Sequence, residues 1–133
     1  FSQRNLLRKI ITEADSCLSL PHPGATLRFG HDTMIMPLTC LLNLNNYNVQ
    51  VFNLDSLETK GWNSAHIFPM AANIQFVFYK NPKKPKADIL IKALLNEEEV
   101  TMPLPKTSTP YYYKWNDFKT FYLKLLNNYK EPQ

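Results

Sequence analysis

The run Ile74-Gln75-Phe76-Val77-Phe78-Tyr79 constrains the fold more than any other stretch of this chain. Branched and aromatic side chains suit a pleated, half-buried surface, so these residues predict a strand. Beyond the Lys- and Pro-rich stretch from Lys80 to Lys86, Asp88-Ile89-Leu90-Ile91-Lys92-Ala93-Leu94-Leu95 offers a hairpin partner. A β-hairpin is therefore expected near residues 73–95, followed by a tight polar turn at Asn96-Glu97-Glu98-Glu99 leading into Val100–Leu104. A lone hairpin is at best marginal in water, so another part of the chain must cover its apolar face.

Helical stripes supply that cover. Leu6, Leu7, Ile10, Ile11, Ala14, Cys17 and Leu18 recur at helical spacing, predicting an amphipathic helix near residues 4–18 with Cys17 as a small core residue. Pro21, Pro23 and Gly24 end it, with His22 in the turn. Ala25-Thr26-Leu27-Arg28-Phe29 then reads as a short strand closed by Gly30. A second helix pattern near 33–43 carries Ile35, Leu38, Leu41 and Leu42, with Pro37 tolerated near its first turn. A third, near 115–129, holds Trp115, Phe118, Phe121, Tyr122, Leu125, Leu126 and Tyr129 on one stripe, with Asn116 or Asp117 able to cap its start. Such an aromatic stripe predicts core. The Asn-rich segment from Asn43 to Asn63 reads as loop, with a short strand at Val49–Phe52. Strands and helices in this order are the parts of an α/β layer fold.

At 133 residues the chain has room for one domain, and its 44% apolar content is that of an ordinary globular protein. No apolar run approaches the ~20 residues of a membrane-spanning helix. A start at Phe1, with no initiator Met and close to a helix pattern, points to a piece of something longer. The net charge of +4 suits a polyanionic ligand such as a phosphorylated sugar. The aromatics occupy core stripes and do not alternate with basic residues, which argues against nucleic acid. Two cysteines, Cys17 and Cys40, form neither a disulfide scaffold nor a CxxC pair, and no His/Cys/carboxylate cluster has metal-ligand spacing. No cofactor or metal is expected.

One stretch carries chemistry: Leu27-Arg28-Phe29-Gly30-His31-Asp32-Thr33. A strand tipped by glycine lets the backbone approach a ligand, and the following helix aims unpaired N–H groups and the positive end of its dipole at the same place. That place suits phosphate. His31 can donate to a phosphoryl oxygen, and Asp32, when protonated, can hand a proton to a departing alkoxide. The helix end favours the ionised carboxylate, whereas an acid catalyst must hold its proton; a phosphate beside Asp32 would favour the protonated form, so mildly acidic working conditions are expected. The plainer alternative is a hydrogen-bonded histidine at a strand end with aspartate as helix cap.

The same residues resemble the second signature of the histidine acid phosphatase family, the phytases and their relatives. Ser64-Ala65-His66-Ile67-Phe68-Pro69-Met70-Ala71-Ala72-Asn73, the continuation through Phe76–Tyr79 and Leu94–Glu97, then Val100 and Pro103-Leu104-Pro105, resemble the multiple inositol polyphosphate phosphatase branch, as does the Tyr/Trp-rich final helix. The resemblance implies the C-terminal part, residues 1–133, of a phosphoglycerate-mutase-like three-layer sheet-and-helix domain. It implies a phosphohistidine mechanism on a phosphorylated small molecule such as an inositol phosphate. His31 would hold the phosphoryl group, Asp32 would protonate the leaving oxygen, Thr33 would lie near substrate, and Arg28 would be an extra phosphate contact unless its side chain faces away. It also implies a secreted or periplasmic location.

Departures are specific. The inositol polyphosphate branch usually reads His-Ala-Glu where this chain has His31-Asp32, and Met34 stands where Asn is common. The nucleophilic histidine of that family lies in an Arg-His-Gly motif, and neither His22, His31 nor His66 is so flanked. His22 and His66 therefore read as structural. The polypeptide alone is expected to be inactive, and the strand containing Phe29 to leave an apolar edge for the missing N-terminal part or for another copy of the chain. The competing reading is a non-catalytic α+β interaction module.

Overall fold

A computed structural model describes residues 1–49 and 52–131. Four helices, α1 (Arg4–Leu18), α2 (Asp32–Leu42), α3 (Ser64–Ile67) and α4 (Trp115–Asn127), accompany four strands, β1 (Ile74–Tyr79), β2 (Leu90–Leu95), β3 (Glu98–Glu99) and β4 (Tyr113–Lys114). The expected α/β class and the hairpin are both present.

β1 and β2 pair antiparallel from Ile74↔Leu95 to Tyr79↔Leu90. The other edge of β2 takes β3 at its Leu94–Leu95 end and β4 at its Leu90–Ile91 end, so β1 is an outer strand of the sheet. The turn after β2 is tighter than the expected four residues. Asn96 and Glu97, both with positive φ (51° and 69°), make a two-residue connection, and Glu98–Glu99 already belong to β3. Positive φ at both central positions matches the right-handed twist of the flanking strands.

Period-two alternation decides which face of the sheet is dry. Ile91, Ala93 and Leu95 of β2 are buried and share a face with Phe76 and Phe78 of β1. That face meets the aromatic stripe of α4: Phe76 lies edge-on to Phe118 at 5.7 Å, and Phe78 edge-on to Trp115 at 5.0 Å. Trp115, Phe118 and Tyr122 continue along the helix, each fully or almost fully buried, as the stripe predicts. Each such ring contributes roughly 1.5–3 kcal/mol by leaving water. Neither Asn116 nor Asp117 caps α4; Lys114 stands at the N-cap, and Asp117 lies inside the first turn.

α1 packs Leu7 and Ile11 into the same core. Its polar side meets α4 through Asp15, whose carboxylate accepts from the Trp115 indole N–H at 2.9 Å and from Lys119 at 3.0 Å. Cys17 does not join the core. It is exposed, with its sulfur 4.0 Å from the Thr26 hydroxyl, because the buried stripe of α1 lies in its first half.

α2 starts one residue earlier than expected, and Pro37 falls in its second turn. Proline has no N–H to offer the carbonyl four residues back, which costs on the order of 3 kcal/mol. Burial of Leu38, Leu41 and Leu42 offsets that. The Tyr122 hydroxyl donates to the Leu42 carbonyl at 2.6 Å, fastening the last residue of α2 to α4. Between α2 and α3 the chain is mostly short 3-10 turns, with Leu44 buried. Of the strand expected at Val49–Phe52, residues 50 and 51 lie outside the described part, and Phe52 sits exposed in a bend. Among the described residues no helix is long and apolar enough to cross a membrane.

Candidate active site

The segment leading to the candidate site is the main departure from expectation. Ala25–Phe29 is not a strand; residues 23–31 run without regular structure, and every residue from Pro21 to Thr33 is exposed. Leu27 is 75% and Phe29 93% exposed, in keeping with the uncovered apolar surface expected there. The physical reason is that a strand exists only through its ladder. Among the described residues, the strand-forming stretches pair with one another at β1–β2, β2–β3 and β2–β4, and none of them pairs with Ala25–Phe29.

The helix half of the motif forms as expected. His31 is extended (φ −106°, ψ 165°) and occupies the N-cap of α2, with no side-chain cap bond; its carbonyl accepts from Met34 N–H at 2.9 Å. Asp32 is the first helical residue, and its Oδ1 accepts the Thr33 N–H at 2.8 Å. The carboxylate thus curls onto one of the free amides of its own helix, where the dipole favours negative charge. A phosphate arriving there would compete with Asp32 for the same donors.

Gly30 has a definite role. A Cβ at this position would lie 2.7 Å from Met34 Sδ, so the thioether rests over the glycine α-carbon. Methionine therefore does more than omit an Asn contact: it covers the backbone that the glycine leaves bare.

The structure brings His31, Asp32 and Thr33 together and holds Arg28 elsewhere. The Arg28 guanidinium forms an ion pair with Glu13 of α1, so its side chain faces that helix. Glu13 was not singled out from the sequence; its only signal was helical i,i+4 spacing to Lys9, a pair that also forms, at 3.8 Å. The His66 side chain is exposed on α3 while its carbonyl accepts from Asn96, and His22 Nδ1 lies 3.3 Å from the Pro23 carbonyl.

Two surface depressions lie away from the motif. One, of about 330 Å³, is lined by residues including Asp15, Lys86, Trp115 and Lys119; the other, of about 470 Å³, by Lys106, Thr107, Ser108 and Lys114 among others. His31 and Asp32 line neither. Among the described residues no three His, Cys, Asp or Glu side chains gather as a metal site would require.

An exposed Gly-His-Asp-Thr element at a helix start, on a mixed α/β fold with an antiparallel hairpin, places the chain in a class. The model of the histidine phosphatase superfamily (branch 2) matches residues 3–96, and the chain belongs to that superfamily. Within it, the chain is similar to human multiple inositol polyphosphate phosphatase 1, with 27% identity over 106 residues, covering 77% of this chain and 21% of the relative. Its fold is similar to that of the Bifidobacterium longum multiple inositol polyphosphate phosphatase solved in complex with inositol hexasulfate, with a TM-score of 0.73 and 25% identity. That match covers 90% of this chain and 25% of the solved one. The chain thus spans about a fifth to a quarter of the length of these relatives.

Proposed function

We propose that this chain supplies the phosphate-holding and proton-donating half of a phosphomonoesterase site, for an inositol phosphate or a similar polyphosphorylated small molecule. The observation that carries this reading is the exposed His31-Asp32-Thr33 triplet at the start of α2, inside the stretch matched by the superfamily model. The B. longum relative, solved with inositol hexasulfate, supports the substrate class.

In this reading His31 donates to a phosphoryl oxygen and Thr33 offers a hydroxyl beside it. Phosphate displaces Asp32 from the Thr33 amide, and the crowding of negative charge then favours the protonated carboxyl that passes its proton to the leaving oxygen. The attacking group must come from outside these residues, since no histidine here is flanked by Arg and Gly. The isolated polypeptide therefore binds without turning over.

Both halves are testable on the chain itself. Titration with inositol hexakisphosphate should shift the His31 imidazole and Thr33 amide resonances, and His31→Ala should abolish the Thr33 shift. Phosphate release should stay at the solvent blank. Enzyme-like release would refute the missing-nucleophile reading, and unmoved His31 and Thr33 resonances would refute the binding reading.

A further inference from the structure

The contact between Met34 and Gly30 does more than cover a glycine. We infer that Met34 is a positioning residue, which fixes the backbone of Gly30 and His31 at the entry of α2 and so holds the His31 imidazole where a phosphate can meet it. Gly30 then serves this methionine and not a ligand. The inference rests on the reading of His31 as the phosphate-holding group. The contact joins residues only four apart in sequence, so it does not depend on what covers the surrounding surface.

Space, not backbone conformation, demands glycine at position 30. Its φ lies outside the left-handed region, so an L side chain could adopt this backbone without strain. A Cβ there would lie 3.8 Å from Met34 Cγ and Cε, an ordinary contact, but 2.7 Å from Sδ, well inside the distance at which such atoms pack. The sulfur thus fills the place a side chain would take. Side chains on a helix lean toward its N-terminus, which carries half-buried Met34, in the first turn of α2, back over Gly30.

The entry of α2 is fastened in no other familiar way. His31 makes no side-chain cap bond. The third helical position, from which Glu or Gln would reach back to the N-cap amide, holds Met34. The residue before the N-cap, whose apolar side chain would staple the helix start, is Gly30. Met34 supplies two grips in their place. Its N–H donates to the His31 carbonyl at 2.9 Å, and its thioether bears on Gly30. Together they hold the backbone on both sides of the His31 α-carbon and set the direction in which the imidazole leaves it. A thioether is at most a weak acceptor and no donor, so Met34 orients the phosphate-binding groups without competing with them or with the anion.

Amide relaxation of Gly30 and His31, with inositol hexakisphosphate titrations, on the whole chain and three variants tests this. In the parent both amides should have order parameters near the ~0.85 of rigid backbone. Met34→Ala should bring them toward the ~0.6 of flexible segments and weaken binding about fivefold. Gly30→Ala, whose methyl expels the thioether, should do the same. In Gly30→Ala/Met34→Ala that methyl stands where the sulfur stood, so affinity should fall no more than about fivefold, against the ~25-fold of independent effects. Unchanged order parameters in Met34→Ala would overturn the proposal. So would order lost at unchanged affinity, or fully additive losses in the double variant. Should Gly30→Ala fail to fold, a double variant that folds supports the clash with Met34, and one that also fails overturns it. A parent chain that binds no inositol hexakisphosphate would refute the phosphate-holding reading, while the order parameters alone would still support or overturn the grip of Met34 on His31.

Discussion

Replacing Tyr122 by Phe removes one oxygen atom at the junction that holds α2, and with it the candidate site, against the core. Tyr122 and Leu42 are both fully buried, and the tyrosine hydroxyl donates to the Leu42 carbonyl at 2.6 Å. That carbonyl belongs to the last residue of α2; Asn43 turns left-handed (φ 51°), so the helix ladder does not continue past it. Phenylalanine keeps the ring contacts with Phe118 (4.5 Å) and Phe121 (5.0 Å), so no cavity opens. The cost is the carbonyl left dry and unpaired, about 1–3 kcal/mol. For a chain of this length, each kcal/mol lowers Tm by about 3–5 °C. Urea unfolding should show a lower midpoint at an unchanged slope. Burial first, then the neighbouring Tyr113, pushes the ionisation of Tyr122 far above the ordinary tyrosine range. The folded state thus keeps the proton while the unfolded chain loses it near pH 10, so this contribution is present below that pH and lost as pH rises beyond it. Tyr122→Phe should flatten the alkaline decline. A variant within about 0.5 kcal/mol of the parent, the range of neutral surface changes, would refute the assignment of Tyr122 as the tether of α2.

Two further predictions follow the same logic. Asn96 combines positive φ with three side-chain roles: its Oδ1 accepts from the Asn73 amide at 3.1 Å, and its Nδ2 donates to the His66 and Ile67 carbonyls at 3.2 and 2.9 Å. Asn96→Gly loses those bonds and keeps the turn, whereas Asn96→Ala also strains it, so thermal unfolding should rank parent, Gly, Ala, with the last step about 1 kcal/mol; equal Gly and Ala variants would show that the turn carries no strain. Burial raises the proton affinity of Asp15, but hydrogen bonds from Trp115 and Lys119 and the Lys119 charge outweigh it and hold the carboxyl below its ordinary value of 3.8. Its stabilisation is therefore full above about pH 4 and fades as pH falls below that, so Asp15→Asn should show a shallower acid-side loss in a pH series of urea midpoints; an unchanged slope would mean the Asp15–Trp115–Lys119 contact contributes nothing.

Helices were legible from the sequence because their bonds close locally. The stripes around Leu7 and Ile11, Leu38 and Leu42, and Phe118 and Tyr122 each landed on a real helix with its ends displaced by two residues at most. The hairpin was legible because both of its strands are present and adjacent. Cys17 failed for a subtler reason: a periodic stripe says which side of α1 is apolar, not how far along the helix the core extends. Arg28 was undecidable in one dimension, since its partner Glu13 lies on α1, brought near only by the fold.

What the sequence by itself determined is the local chemistry: a glycine, an imidazole and a carboxyl at a helix start, aromatic stripes of period 3.6, a two-strand hairpin, and a histidine set without an Arg-His-Gly. What only the tertiary structure decided is every matter of pairing. It left Ala25–Phe29 without a ladder, set β1 at an open edge, turned Arg28 toward α1 and laid Met34 over Gly30. The reason is that a helix satisfies its backbone within four residues of itself, whereas a strand or an ion pair is completed by residues whose distance along the chain says nothing of their distance in space.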